Sequence, residues 1–191
     1  KAFAGSYVWC IGFTFDATAA ARGNATSIRT LNRLIERSPR TSERIFPYLG
    51  SEDVNTNPEH RPSRFIINLE LMSEAEAREG WPELFSIVEE KVRPERLEQS
   101  SIVNPARWWK YARPATELYN AIQGLDHVLA VGAAATAHHV IARLPTGQVF
   151  SHKLIVFALE SMAAFSVLQS RVHELWSATF GTTRGVADDL T

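Results

Sequence analysis

The chain has 191 residues, 45% of them hydrophobic, and 20 Lys and Arg against 21 Asp and Glu give a formal net charge of −1. This excludes a disordered chain, which lacks the apolar content for a core, and a uniformly basic coat for nucleic acid, so any contact with a polyanion must come from a local patch. The single cysteine, Cys10, excludes internal disulfides and a cysteine-rich zinc site, and points to a reducing, cytoplasmic setting.

The length fits one ordinary domain of roughly 100–200 residues. No apolar run approaches the ~20 residues of a membrane span, so no membrane partner is expected. Lys1-Ala2-Phe3-Ala4-Gly5 has no signal-peptide pattern, and Ala187-Asp188-Asp189-Leu190-Thr191 closes on neither a helix nor a tail. The expectation is a piece of a longer protein whose other parts hold the chemistry.

In chain order, Ser6–Phe15 is aromatic and β-branched and predicts a strand with a bulge at Gly12. Asp16 caps a short helix over Ala17–Arg22, and Ile28, Leu31, Leu34 and Ile35 recur at helical spacing within Ser27–Arg37, which Ser38-Pro39 ends. Ile45–Leu49 is extended, Gly50–Pro62 reads as a long loop, and Arg64–Glu70 reads as a strand. Ser73 and Glu76 form a capping box, Trp81-Pro82 opens a second helix, and Pro94 should end or kink it. Short helices are expected around Trp108–Tyr111 and Ala115–Gln123. His127–Val131, His138–Leu144, Gln148–Ser151 and Leu154–Leu159 read as strands, with Pro145-Thr146-Gly147 as a hairpin turn. A last helix over Ser161–Trp176 carries Met162, Phe165, Leu168, Val172 and Leu175 on one face. The expected fold is α+β: a single mixed domain with several short strands, a β-hairpin region and packed helices.

No catalytic constellation emerges. HExxH, GxSxG, Walker A and GxGxxG are all missing, and no metal site is expected, because the adjacent His138 and His139 would point to opposite faces of a strand. Cys10 sits in an apolar pattern, where a thiol behaves as a small hydrophobe. What stands out is charge between Lys91 and Arg113: Lys91, Arg93, Arg96, Arg107, Lys110 and Arg113 against Glu95 and Glu98, with Trp108, Trp109 and Tyr111 interleaved. Basic groups neutralise phosphates and release counterions, so this stretch is either a phosphate-binding patch or a solvated helix end with its tryptophans in the core.

Several segments together resemble the target recognition domain of MmeI-like DNA methyltransferase and restriction-modification enzymes. They are Phe46-Pro47-Tyr48-Leu49-Gly50-Ser51-Glu52-Asp53-Val54-Asn55, Arg64-Phe65-Ile66-Ile67-Asn68, Met72-Ser73-Glu74-Ala75-Glu76-Ala77, Val92-Arg93-Pro94-Glu95-Arg96 and Trp108-Trp109-Lys110-Tyr111. Arg113-Pro114 with Glu117-Leu118-Tyr119 and Ile122, then Leu168-Gln169-Ser170 with His173 and Trp176, complete the order. The resemblance implies that residues 1–191 are a double-stranded DNA recognition domain of a longer adenine-N6 methyltransferase chain. The chain would be no enzyme by itself, and some relatives also carry an endonuclease. The family's Asn-Pro-Pro-Tyr type motif and glycine-rich cofactor loop are missing here, so S-adenosylmethionine is expected in the full-length enzyme and no cofactor in this part. The implied partners are DNA and the methyltransferase domain of the same chain.

Such an enzyme must flip its adenine out of the duplex, at a cost of a few kcal/mol, and a second domain that clamps the duplex offsets that cost. Arg107, Lys110 and Arg113 are the candidates for phosphate contact. The candidates for base reading are His138, His139, Arg143, Gln148, His152 and Lys153, on or beside the expected hairpin, since a β-ribbon can enter the major groove. His173 and Trp176 are expected to lock the last helix against the sheet, and Asp53 or Asn55 to cap a turn. The alternative is a protein-interaction or scaffold domain without DNA contact, with Trp108 and Trp109 as interface anchors.

Overall fold

Two four-stranded sheets organise the chain, of which the computed structural model describes residues 1–98, 105–133 and 140–180. The first sheet is antiparallel, in the order β1 (Ala2–Ala4), β8 (Leu154–Phe157), β5 (His127–Gly132), β6 (Ala142–Pro145). The second runs β2 (Thr14–Phe15), β4 (Arg64–Ile67), β3 (Ile45–Leu49), β7 (Val149–Phe150), with β7 parallel to β3. The seam between the sheets is short. Ser151 bridges to Ser6, and the Ser6 amide donates to the Phe150 carbonyl at 2.7 Å.

Local chemistry places the helices. Asp16 Oδ1 accepts from the amides of Thr18 and Ala19 and starts α1 (Ala17–Ala21); Ser27 accepts from Thr30 and starts α2 (Ile28–Arg37). The short α3 (Ser51–Thr56) follows β3. Ser73 and Glu76 close the expected capping box on α4 (Glu74–Gly80), since Ser73 Oγ accepts from the Glu76 amide and Glu76 Oε2 from the Ser73 amide. After them come α5 (Pro82–Lys91), α6 (Arg93–Glu98), α7 (Thr116–Ala121), α8 (Met162–Leu168) and α9 (Arg171–Phe180).

The core has two parts. Phe13, Phe15, Leu31, Ile66, Phe85, Val88 and Trp108 join the second sheet to α2 and α5. Leu49, Leu118, Val128, Leu144, Phe150 and Val156 fill the space under the first sheet. This is an α+β single domain, and no helix among the described residues is long and apolar enough to cross a membrane.

Five expectations need correction, and a sixth is refined. Ser6–Phe15 is not one strand: Trp9 has φ 70°, a left-handed turn that no strand continues through, and Ile11–Phe13 coils into a 3₁₀ turn where Gly12 presses against the Lys91 carbonyl. The Gly50–Pro62 loop contains α3, because the Asp53 carboxylate accepts from the Gly50 amide at 2.8 Å and caps it. The helix opened at Pro82 does end before Pro94, at Lys91, and Pro94 then lies in the first turn of α6, where its missing N–H costs nothing, so helix resumes after the break. Trp108–Tyr111 forms turn and coil after a 3₁₀ turn at Pro105–Arg107, its three rings drawn into the core. The turn at Pro145-Thr146-Gly147 forms, but its flanks do not pair: β6 stays with β5, and β7 joins β3. The antiparallel hairpin is β5 with β6.

The last correction is the C-terminal helix, which breaks at Gln169-Ser170 into α8 and α9. Their apolar side chains lie in the open, Trp176 at 64% and Phe180 at 67% exposure, so Trp176 does not lock the helix onto a sheet. An apolar stripe at helical spacing says that something covers it, but not that this chain does.

Candidate nucleic-acid interface

The basic stretch is not one patch. Arg96 is 1% exposed; Arg93 pairs with Glu89 at 2.8 Å; Lys91 pairs with Glu90. Lys110 is half-buried and its Nζ donates to the Glu70 carbonyl at 2.7 Å. Arg107 and Arg113 stay exposed, and among the described residues no carboxylate stands within ion-pair distance of either. Trp108 and Trp109 are only 5% and 8% exposed, so they are scaffold and cannot anchor a protein interface.

The base-reading candidates scatter. His138 and His139 lie outside the described residues. Arg143 faces solvent from β6, whose pattern alternates buried and exposed. Gln148 is 5% exposed, and its amide Nε2 donates to the Pro145 carbonyl at 2.9 Å, tying off the turn. His152 and Lys153 follow β7, and His152 comes up against Arg113 across the seam between the sheets.

Tyr7 is where they meet. It exchanges two backbone hydrogen bonds with Arg113, at 2.8 and 3.1 Å, and its ring lies under the Arg113 guanidinium at 4.9 Å. The His152 ring packs edge-on against Tyr7, centroids 4.4 Å apart. One phosphate candidate, Arg113, and one base-reading candidate, His152, therefore share a single aromatic support, a convergence not visible in the linear order. Burial first, then the charges of Lys153 and Arg113, hold the His152 imidazole below its usual pKa of 6.5. The folded protein thus binds that proton less tightly than the unfolded chain, so stability should rise as pH climbs through about 6.5 and fall in acid. Urea titrations between about pH 5 and 7 should show this slope reduced in His152→Gln. An equal slope in both proteins would remove His152 as its source.

Beside Tyr7 opens a cleft of about 440 Å³, walled by Tyr7, Trp9, Tyr48, Arg64, His152 and Lys153. Arg64 reaches Asp53 Oδ2 at 3.0 Å and lies over the Tyr48 ring at 5.3 Å, and Asp53 also accepts from Ser63 and Gly50, so this corner is a buried, satisfied carboxylate. Glu52 is the carboxylate on the open side. Tyr7, Trp9, Tyr48 and Arg64 escaped the reading of site residues from sequence; the aromatic density of Ser6–Phe15 was the available signal, and it reads equally as core. Cys10, at the cleft floor, donates its thiol to Glu95 Oε2 at 2.7 Å, and burial above all pushes its pKa up to about 12, so it stays a thiol. Among the described residues no group of three His, Cys, Asp or Glu is placed to hold a metal ion.

No protein-family model matches the chain, and no curated protein matches it. A solved structure does: the type IIL restriction-modification enzyme MmeI in complex with DNA, at a TM-score of 0.67 and 16% sequence identity. The two share a fold. The overlap covers 96% of this chain and 22% of the MmeI chain, so this chain spans about a fifth of its neighbour's length. At that coverage both sheets lie within the fold shared with MmeI.

Proposed function

We propose that the chain is the target recognition domain of an MmeI-like restriction-modification enzyme or adenine-N6 DNA methyltransferase, contacting double-stranded DNA while a catalytic domain outside these 191 residues binds S-adenosylmethionine. The likeness to MmeI over 96% of the chain carries this reading, since that enzyme was solved on DNA. The ordered motifs from Phe46 to Trp176 support it from the sequence side. The residues present do not fit the cofactor, because neither a glycine-rich loop nor an Asn-Pro-Pro-Tyr type motif occurs, so no step of methyl transfer is assigned to them.

Within this reading Arg107 and Arg113 neutralise phosphates, Arg113 held by Tyr7 and Arg107 by the buried Trp108-Trp109 turn beside it. Lys110, already spent on the Glu70 carbonyl, contributes less. Arg143 and Lys153, exposed on and beside strands, are the base-reading candidates that solvent can reach. The apolar side chains that α8 and α9 leave open are the surface that a methyltransferase domain of the same chain would cover.

Salt dependence tests the phosphate contacts. With a 30-base-pair duplex, the slope of log affinity against log salt should flatten by about one unit in Arg107→Ala and again in Arg113→Ala. Unchanged slopes in both would remove these contacts. Binding that ignores salt and survives a polyanion competitor would favour a protein-interaction domain.

A further inference from the structure

We infer that the cleft beside Tyr7 takes one extrahelical nucleotide of bound DNA, its base stacked on Trp9 and its phosphate toward Arg113 and Lys153; this rests on the recognition-domain reading above. Three observations point to it. The volume, about 440 Å³, falls in the range of sites for small organic groups. Its walls combine the rings of Tyr7, Trp9, Tyr48 and His152 with the cations Arg64 and Lys153, the pairing of π-faces and positive charge that holds unstacked bases without regard to sequence.

Trp9 itself supplies the third. A tryptophan at φ 70° is strained, and it is clamped there from both sides. Tyr7 is tied to Arg113; the Val8 carbonyl accepts from the buried Arg96 Nη2 at 2.7 Å; the Cys10 thiol donates to Glu95. Strain held by so many contacts is typical of residues set to meet a ligand. The half-buried indole lines the cleft and also makes an edge contact with the Tyr7 ring at 5.3 Å. An enzyme that displaces one base leaves neighbours without partners, and a second domain that accepts one of these lowers the cost of opening the duplex.

The test compares two probes on the full 191-residue chain: a 30-base-pair duplex, and the same duplex with one unpaired thymidine at its centre. The bulged duplex should bind about tenfold tighter, the worth of one stacked base. Trp9→Gly, which suits the left-handed backbone, should bring that ratio to about one, while Trp9→Phe keeps most of it. Where Trp9→Gly fails to fold, Trp9→Asn is read by the same ratio, and Lys153→Ala, at an exposed position, should lower the ratio at least about threefold. Equal binding of the two duplexes by the unaltered chain, or a ratio untouched by losing the indole, overturns the nucleotide site and leaves the recognition-domain reading standing. Failure to bind either duplex at low salt overturns both.

Discussion

Arg96→Ala should destabilise the protein by about 3–5 kcal/mol, measured by urea or guanidinium unfolding. Arg96 comes from α6, is 1% exposed, and lies over the Phe13 ring at 5.3 Å with Nη2 on the Val8 carbonyl. It is the cation facing Glu70 and Glu95. Glu70 is already difficult to ionise, because burial raises its pKa against the opposing pull of the Tyr111 amide and of Lys110, Arg107 and Arg96. Alanine would remove one of those opposing charges, leave the Val8 carbonyl without its donor and open a cavity beside Phe13. Arg96→Met keeps the volume without the charge. It should recover part of the loss, because Nε and Nη1 of Arg96 have no partner to forfeit. A loss below about 1 kcal/mol for Arg96→Ala would mean that the cation is incidental to the fold.

Gly5→Ala should cost about 3 kcal/mol or more, by overpacking rather than by loss. A Cβ on Gly5 would stand 2.3 Å from the Ser151 carbonyl oxygen and 2.4 Å from that of Phe150. Both are backbone atoms, so no side chain can swing aside. The strand pairing around it is also committed: the Gly5 amide donates to Leu154 and the Ser6 amide to Phe150. Relief therefore means pushing β7 away from the N-terminal segment and opening the seam that carries Tyr7, His152 and Lys153. Thermal unfolding of Gly5→Ala should begin well below that of the unaltered protein. A shift of only a degree or two would show that the seam yields cheaply.

How much of this was legible in the sequence depends on distance along the chain. The helices capped by Asp16 and Ser73 were, because a cap and its amide lie within three residues of each other, and α2 was, because Ile28, Leu31, Leu34 and Ile35 recur at helical spacing. The turn at Pro145-Thr146-Gly147 was too, but not its consequence: β7 pairs with Tyr48 and Leu49, a hundred residues upstream, and no local pattern names that partner. The apolar stripe of the last helices was read correctly as a stripe and wrongly as a buried one, since periodicity reports a face and not its neighbour. In the same way Arg113 and His152 were singled out by residue type and local context, yet their meeting at Tyr7 depends on the seam. The left-handed backbone at Trp9 could not have been found, because nothing in a run of aromatic residues announces it.

The pairing of β1 with β8 sets a timetable for synthesis. Ala2–Ala4 find their partners only in Ile155–Phe157, so the strand made first is completed last. At ribosomal rates of about 5–20 residues per second, the N-terminal segment waits roughly eight to thirty seconds, with β3 and β4 already able to pair behind it. During that interval the segment from Ala2 to Ser6 stays unpaired, since its partners lie between Phe150 and Phe157, while Thr14 and Phe15 can already pair with β4. A chaperone that holds nascent chains would find its target there before the seam exists.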